Sequence, residues 1–261
     1  MDIGSLFSVE GKVALVTGAS HGLGAMIAEG LVRAGARVYV CARKEERLRA
    51  ASDRLTPFGT CHPIAADLGT EEGIARLAQT LGDLEPQLDI LVNNAGTSWG
   101  APLDDFPAKG FSKILQLNVT APFLLTQALL PMLRAAASVE QPARVINIAS
   151  IDGMRPPHRE TYSYSASKAG LIMLTRHLAK RLAPEHISVN AISPGLFETP
   201  MTGFIFDPEH PHHEAPPVLP LGERTGTPED IVGAVIYMAS RAGAHLTGIN
   251  LPVSGGEATA E

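Results

Sequence analysis

The stretch KVALVTGASHGLGAMIAEGLVRAGARVYVCAR, residues 12–43, decides the fold. Val13 to Val16 is a short apolar run, as expected of a parallel strand covered on both faces. Thr17 to Gly24 follows with Gly18, Gly22 and Gly24, and an apolar helical pattern then runs to about Ala34. Arg37 to Cys41 is a second strand, so the stretch predicts a βαβ unit. The glycines permit a tight turn, and the amides opening the helix face outward to an anion such as a pyrophosphate. The spacing is Gly18-x-x-x-Gly22-x-Gly24, not the more familiar G-x-G-x-x-G. A plain turn is the alternative; the succession of strand, turn, helix and strand favours dinucleotide binding.

Outward from this unit the same rhythm continues. Strand-like runs recur at about 61–65, 89–93, 143–149, 187–193 and 247–252. Helical patterns fall near 44–55, 71–82, 108–118, 119–136, 162–183 and 228–240. Such alternation implies right-handed crossovers and a sheet with helices on both faces, an α/β fold. No repeat or linker divides residues 1–261, so a single domain is expected. One interval breaks the rhythm: 201–226, MTGFIFDPEHPHHEAPPVLPLGERTG, has five prolines and no convincing period. Long irregular segments inside a compact domain are usually functional or disordered. Its His210, His212 and His213 lack a template that would fix them on a metal, and a solvated loop is preferred; no metal is expected.

Composition bounds the function. A formal charge of −6 argues against a general nucleic-acid binder, which shows a basic face. No apolar run of bilayer length is evident, and MDIGSLFSVEGK lacks the basic and apolar blocks of a secretory signal. Cys41 and Cys61 read as small buried thiols of a reducing compartment, so a cytoplasmic location is expected.

Chemistry is carried by YSYSASKAGLIMLTRHLAK, residues 162–180, where Tyr164 and Lys168 share one helical face. A lysine cation about 4 Å from the phenol, at an effective dielectric of about 20, would favour phenolate by about 4 kcal/mol. Such a tyrosine would exchange a proton with an alcohol or carbonyl near neutral pH. Tyr162 has no lysine four positions on and reads as a packing residue; Ser165 and Ser167 read as ordinary helical positions.

With TGASHGLG at 17–24, Asp67, NNAG at 93–96, Asn118, Ser150, YSASK at 164–168 and PGLFET at 194–199, the chain resembles the short-chain dehydrogenase/reductase family from about Gly11 to Gly256. The resemblance implies a Rossmann-type three-layer sandwich with seven parallel strands in the order 3-2-1-4-5-6-7. It implies Tyr164 as acid/base, Lys168 beside it, Ser150 donating to the substrate oxygen, and Asn118 at a helix irregularity that positions Lys168. It implies cofactor contacts at Gly18, Ser20, His21, Gly22, Leu23, Gly24, Asp67, Leu68, Asn93, Ala95, Gly96, Pro194, Gly195, Leu196 and Thr199. Asn93 would serve the scaffold equally well.

The stretch NNAGTSWGAPL and the long Ser150-to-Tyr164 loop are similar to 3-oxoacyl reductases of the kind associated with rhamnolipid synthesis. A 3-oxoacyl thioester is thus the favoured substrate, beside a sugar acid or polyol; a non-catalytic cofactor-binding sensor is the reading from another class. Arg155, His158 and Arg159 in that loop are candidates for the substrate entrance. Segment 201–226 resembles the family's substrate lid. Ala42 stands where an NAD-preferring member carries a carboxylate, and Arg43 follows it, so NADP(H) is expected; Arg43 as a solvated opener of the next helix is the alternative. Ser254 replaces the aspartate that the family often has before two glycines. The excess apolar surface of helices 119–136 and 162–183 suggests a second buried face; the resemblance makes these two helices the main dimer contact, through a four-helix arrangement, of a homo-oligomer expected to be a tetramer.

Overall fold

The computed structural model describes residues 2–209, 219–222 and 224–259. Seven strands, β1 (Val13–Thr17), β2 (Arg37–Ala42), β3 (Cys61–Ala65), β4 (Ile90–Asn93), β5 (Ala143–Ile148), β6 (Ile187–Pro194) and β7 (Asn250–Val253), form one sheet. Its order is β3-β2-β1-β4-β5-β6-β7 and every pairing is parallel. The expected architecture is therefore present.

The helices are α1 (Ile3–Leu6), α2 (Gly22–Arg33), α3 (Glu45–Leu55), α4 (Glu71–Leu84), α5 (Ala108–Leu115), α6 (Ala121–Ala136), α7 (Tyr162–Leu182), α8 (Gly203–Phe206) and α9 (Pro228–Ala239). Strand residues alternate between two cores, as the two-residue period of a strand requires. Ala14, Val16, Ile90 and Val92 meet Ile27 and Leu31 of α2 and Ile231 and Val235 of α9. Val13, Leu15 and Leu91 meet Leu77 and Leu81 of α4 and Leu125, Leu129 and Leu133 of α6. Each fully buried leucine of this kind contributes about 1.5–3 kcal/mol.

Two sequence expectations need amendment here. First, α5 and α6 are one continuous run of 29 residues, Ala108–Ala136, joined by a π turn at Gln116–Thr120. Pro122 explains the widening: it has no amide to donate to the carbonyl four residues back, and its ring pushes that carbonyl aside. Second, by length and composition this run is apolar enough to cross a membrane, although the sequence showed no uninterrupted apolar stretch. Its buried leucines pack on the sheet, as in a core helix. Cys41 and Cys61 are free and buried, with no disulfide between them.

Candidate active site

The carboxyl ends of β1 to β5 open into a crevice of about 610 Å³. Its floor begins at Gly18, whose φ of +66° a side chain would resist; a Cβ there would also lie 2.8 Å from Ala95 Cα. Gly24, one turn into α2, faces the Asn94 side chain and the Gly18 carbonyl with no room for a Cβ. Asn94 itself ties the two strands together, its Nδ2 donating to the Thr17 carbonyl at 2.8 Å and to the Gly18 carbonyl at 3.3 Å. The Thr17 hydroxyl accepts from the amides of Asn94 at 3.0 Å and Ala95 at 2.9 Å.

Ser20, His21, Gly22 and Leu23 line the crevice where α2 begins. No side chain caps this helix; His21 is extended and makes no capping bond. Open amides at the start of a 12-residue helix, beside glycines that keep the wall low, suit a pyrophosphate. Ala42, Arg43, Lys44 and Arg47 line the crevice at the end of β2, and Asp67 and Leu68 at the end of β3. Arg43, Lys44 and Arg47 are exposed and enter no ion pair among the described residues. A dinucleotide with a phosphorylated ribose thus fits the donor set: helix amides at its centre and three cations at one end, with no carboxylate at Ala42. Asp67 also holds its own turn, accepting from the Gly69 amide at 2.9 Å.

At the other end stand Tyr164 and Lys168, both lining the crevice from α7. Lys168 is buried, and its Nζ donates to the Ile148 carbonyl at 2.7 Å. The ammonium lies 5.6 Å from the centroid of the Tyr164 ring. Burial pushes the Tyr164 phenol up to about 12; the Ser150 hydroxyl opposes this and the Asp152 carboxylate adds to it. Burial pulls Lys168 down to about 8, against the pull of Asp152. Desolvation, which opposes the pull of the lysine on the phenol, is the larger effect, and the ammonium is drawn toward a carbonyl of β5. A protonated phenol is the form that can donate to a carbonyl oxygen.

Ser150 sits two residues beyond β5, capping the turn Ile151–Gly153 by accepting from the Asp152 amide at 3.1 Å. Asn118 lies in the π turn, fully buried, where the resemblance anticipated an irregularity. Its Oδ1 accepts from the Thr97 amide, and its Nδ2 donates to the Thr97 carbonyl and to Ser167 Oγ, each at 2.9 Å. A Cβ on Gly96 would stand 3.2 Å from Asn118 Oδ1 and 3.6 Å from Lys168 Nζ, so all three meet. Ser167, read as an ordinary helical position, is therefore a buried anchor for Asn118.

Other assignments change. Asn93 does not face the crevice: it is buried, with Nδ2 donating to Asn147 Oδ1 at 2.9 Å and to Thr126 Oγ1 at 3.3 Å. Asn94, its neighbour, lines the crevice instead, with Ala95 and Gly96. Thr199 also lines it, while Pro194, Gly195 and Leu196 do not. The Leu196 amide donates to Glu257 Oε2 at 3.1 Å. Tyr162 is a packing residue, its ring 5.7 Å from Phe106 and its hydroxyl bonded to Glu160. Arg155 pairs with Glu257, and the Arg159 guanidinium lies 4.6 Å above the Phe204 ring of α8.

Thr17, Asn94, Lys44, Arg47 and Ser167 line or support the crevice without having stood out in the sequence. Arg47 was within reach, since it follows Arg43 by one helical turn. His210, His212 and His213 lie outside the described residues, and among the described residues no cluster of three or more His, Cys, Asp or Glu is arranged to hold a metal.

Known proteins place this geometry in a family. The short chain dehydrogenase pattern matches residues 12–210. The rhamnolipids biosynthesis 3-oxoacyl-[acyl-carrier-protein] reductase of Pseudomonas aeruginosa is 50% identical over 250 residues, covering 96% of this chain and 97% of that protein. Among solved structures, the Pseudomonas aeruginosa RhlG/NADP active-site complex superposes with a TM-score of 0.91 at 48% identity, covering 97% of this chain and 99% of the other. A putative NAD(P)-dependent gluconate 5-dehydrogenase from Beutenbergia cavernae with bound NADP gives 0.87 at 32% identity, covering 98% and 100%. With its glycine turn, its Ser150, Tyr164 and Lys168 and its parallel sheet all in the matched order, this chain belongs to the short-chain dehydrogenase/reductase family.

Proposed function

We propose that this chain is an NADP(H)-dependent reductase that converts a carbonyl to a secondary alcohol, its substrate a 3-oxoacyl thioester reduced to the 3-hydroxyacyl form. The observation that carries the reading is Tyr164 beside Lys168 at one end of a crevice whose other end presents Arg43, Lys44 and Arg47 around Ala42. NADPH, when bound, supplies the hydride. Ser150 orients the substrate oxygen by a hydrogen bond, and Tyr164 donates its proton to that oxygen as negative charge develops there. Lys168, held by the Ile148 carbonyl, stabilises the resulting phenolate. Asn118, locked between Thr97 and Ser167, fixes the floor on which Lys168 and Gly96 meet.

The likeness to the rhamnolipid reductase supports the thioester, and the gluconate dehydrogenase likeness favours a keto sugar acid as the second reading. NADPH oxidation assayed with 3-oxoacyl thioesters, keto sugar acids and cyclic ketones separates them. Turnover of the thioesters is expected; turnover of sugar acids alone refutes the acyl reading, and cofactor binding without any turnover favours the sensor. We further propose one domain with a substrate lid at about 201–226, a cytosolic location in keeping with two free thiols, and a homotetramer. Support for the tetramer is the exposure of apolar Phe123 on α6 and Met173 on α7. Light scattering at micromolar concentration is expected to give four times the chain mass; a monomer refutes it.

A further inference from the structure

Glu257 lies in the short turn Glu257–Thr259 after β7, far in sequence from every residue named in the catalytic end. It is nevertheless buried, and both of its carboxylate oxygens are engaged. Oε1 accepts from Arg155 Nη2 at 3.0 Å, and Oε2 accepts from the Leu196 amide at 3.1 Å. Arg155 belongs to the loop that leaves Ser150, and its own amide donates to the Ile151 carbonyl at 3.0 Å. Leu196 belongs to the turn that leaves β6 toward Thr199 on the crevice wall.

The chain reaches this position by construction. Gly255 and Gly256 take φ of +58° and +90°, which folds the segment back after Ser254. The Ser254 carbonyl accepts from the Glu257 amide at 3.0 Å, and Ser254 Oγ accepts from the Ala258 amide at 3.2 Å. Gly195 yields the space: a Cβ on it would lie 2.7 Å from both Glu257 Oε2 and Ser254 Cβ. Arg155 and Glu257 are largely screened from solvent, so their pairing is stronger than that of an exposed surface pair.

We infer that Glu257 is a positioning residue of the active site, a carboxylate from the last turn of the chain that clasps the Ser150 loop to the wall after β6 and so holds the two sides of the reacting centre in register. The inference rests on the reductase reading above. A carboxylate with both oxygens engaged sets a distance between its partners, and small displacements at a reacting centre cost about a hundredfold in rate. The dinucleotide's phosphates would be held elsewhere, by Gly18–Leu23 and Arg43, so cofactor affinity is expected to be largely spared.

The test compares Glu257→Gln, Glu257→Ala, Arg155→Met and the double variant Glu257→Ala/Arg155→Met. NADPH affinity is read by fluorescence titration, folding by circular dichroism, and kcat and KM with the best carbonyl from the substrate panel. Glu257→Gln keeps an acceptor for the Leu196 amide and loses only the charge pair, so a fall in kcat of about threefold is expected. Glu257→Ala loses both contacts, and about ten- to hundredfold is expected, with NADPH affinity within about threefold. The double variant should be no slower than Glu257→Ala, because the clasp is already broken. A kcat within twofold of the parent in Glu257→Ala overturns the inference, as does a fully additive double variant. Should Glu257→Ala not fold, equal kcat values for the parent, Glu257→Gln and Arg155→Met overturn it equally. Absence of turnover by the unaltered protein on every carbonyl would refute the reductase reading instead.

Discussion

Thr17→Val is nearly isosteric, yet it removes the acceptor on which two backbone amides depend. The Thr17 hydroxyl is buried and accepts from Asn94 at 3.0 Å and Ala95 at 2.9 Å while donating to the Val92 carbonyl at 3.3 Å. Leaving a buried donor without a partner costs about 1–3 kcal/mol, so two orphaned amides cost about 2–6 kcal/mol, with relaxation favouring the lower half. A loss near 3 kcal/mol shifts the unfolding midpoint of a domain of this size by about 6–12 °C. Because Asn94 also anchors the Thr17 and Gly18 carbonyls, the glycine turn slackens and NADPH binding weakens by about tenfold, or about 1.4 kcal/mol. Thermal unfolding and NADPH titration measure the two effects, with Thr17→Ser, which keeps the oxygen, as the control. A Thr17→Val midpoint within about 2 °C of the parent would show that the two amides do not depend on this hydroxyl.

Tyr164→Phe removes the proton donor and should lower kcat by at least about 10²-fold with NADPH affinity intact, whereas Tyr162→Phe should be mild; steady-state assays on both decide, and half the parent activity in Tyr164→Phe refutes its role. Arg43→Ala should weaken NADPH by about ten- to 150-fold and leave NADH nearly untouched. Parallel titrations check this, and equal affinity of the parent for both cofactors refutes the assignment. Rising pH should remove the Lys168 proton first, because burial has lowered it to about 8, while Tyr164 keeps its proton to about 12. The kcat/KM for carbonyl reduction in the free enzyme should thus fall above about pH 8, and a profile flat to about pH 9.5 would contradict the depressed lysine.

The strands and helices were legible because apolar runs and their punctuation are local properties. β3 and β4 end where the sequence suggests, and the other strands within about one residue of it. Where the reading failed, the deciding quantity was not local. Asn93 and Asn94 are the same residue type side by side; only the end of β4 between them turns one inward to Asn147 and frees the other for the glycine turn. The sign of the Tyr164 shift depends on how much protein surrounds the phenol and on where the lysine points, neither of which a spacing of four reveals. Ser167 was passed over because a serine in a helix has many partners available, and its partner Asn118 is brought to it by the π turn. Glu257 was invisible for the same reason: Leu196 and Arg155 become its neighbours only when the last strand docks. α8 lies in a segment with no convincing period, and one turn of helix leaves no periodic signal.

The strand order has a consequence for the chain while it is being made. β1 is central in the sheet, with β2 on one side and β4 on the other, and Ala14 waits for Ile90 as its partner. At about 5–20 residues per second of synthesis, β1 and β2 emerge several seconds before β4 can close the open side. During that interval Val13 to Thr17 presents an unpaired, largely apolar edge, the kind of surface on which nascent chains join one another. Fragments ending between β2 and β4 should accordingly associate, and the yield of the intact protein should depend on how quickly the ribosome covers that distance.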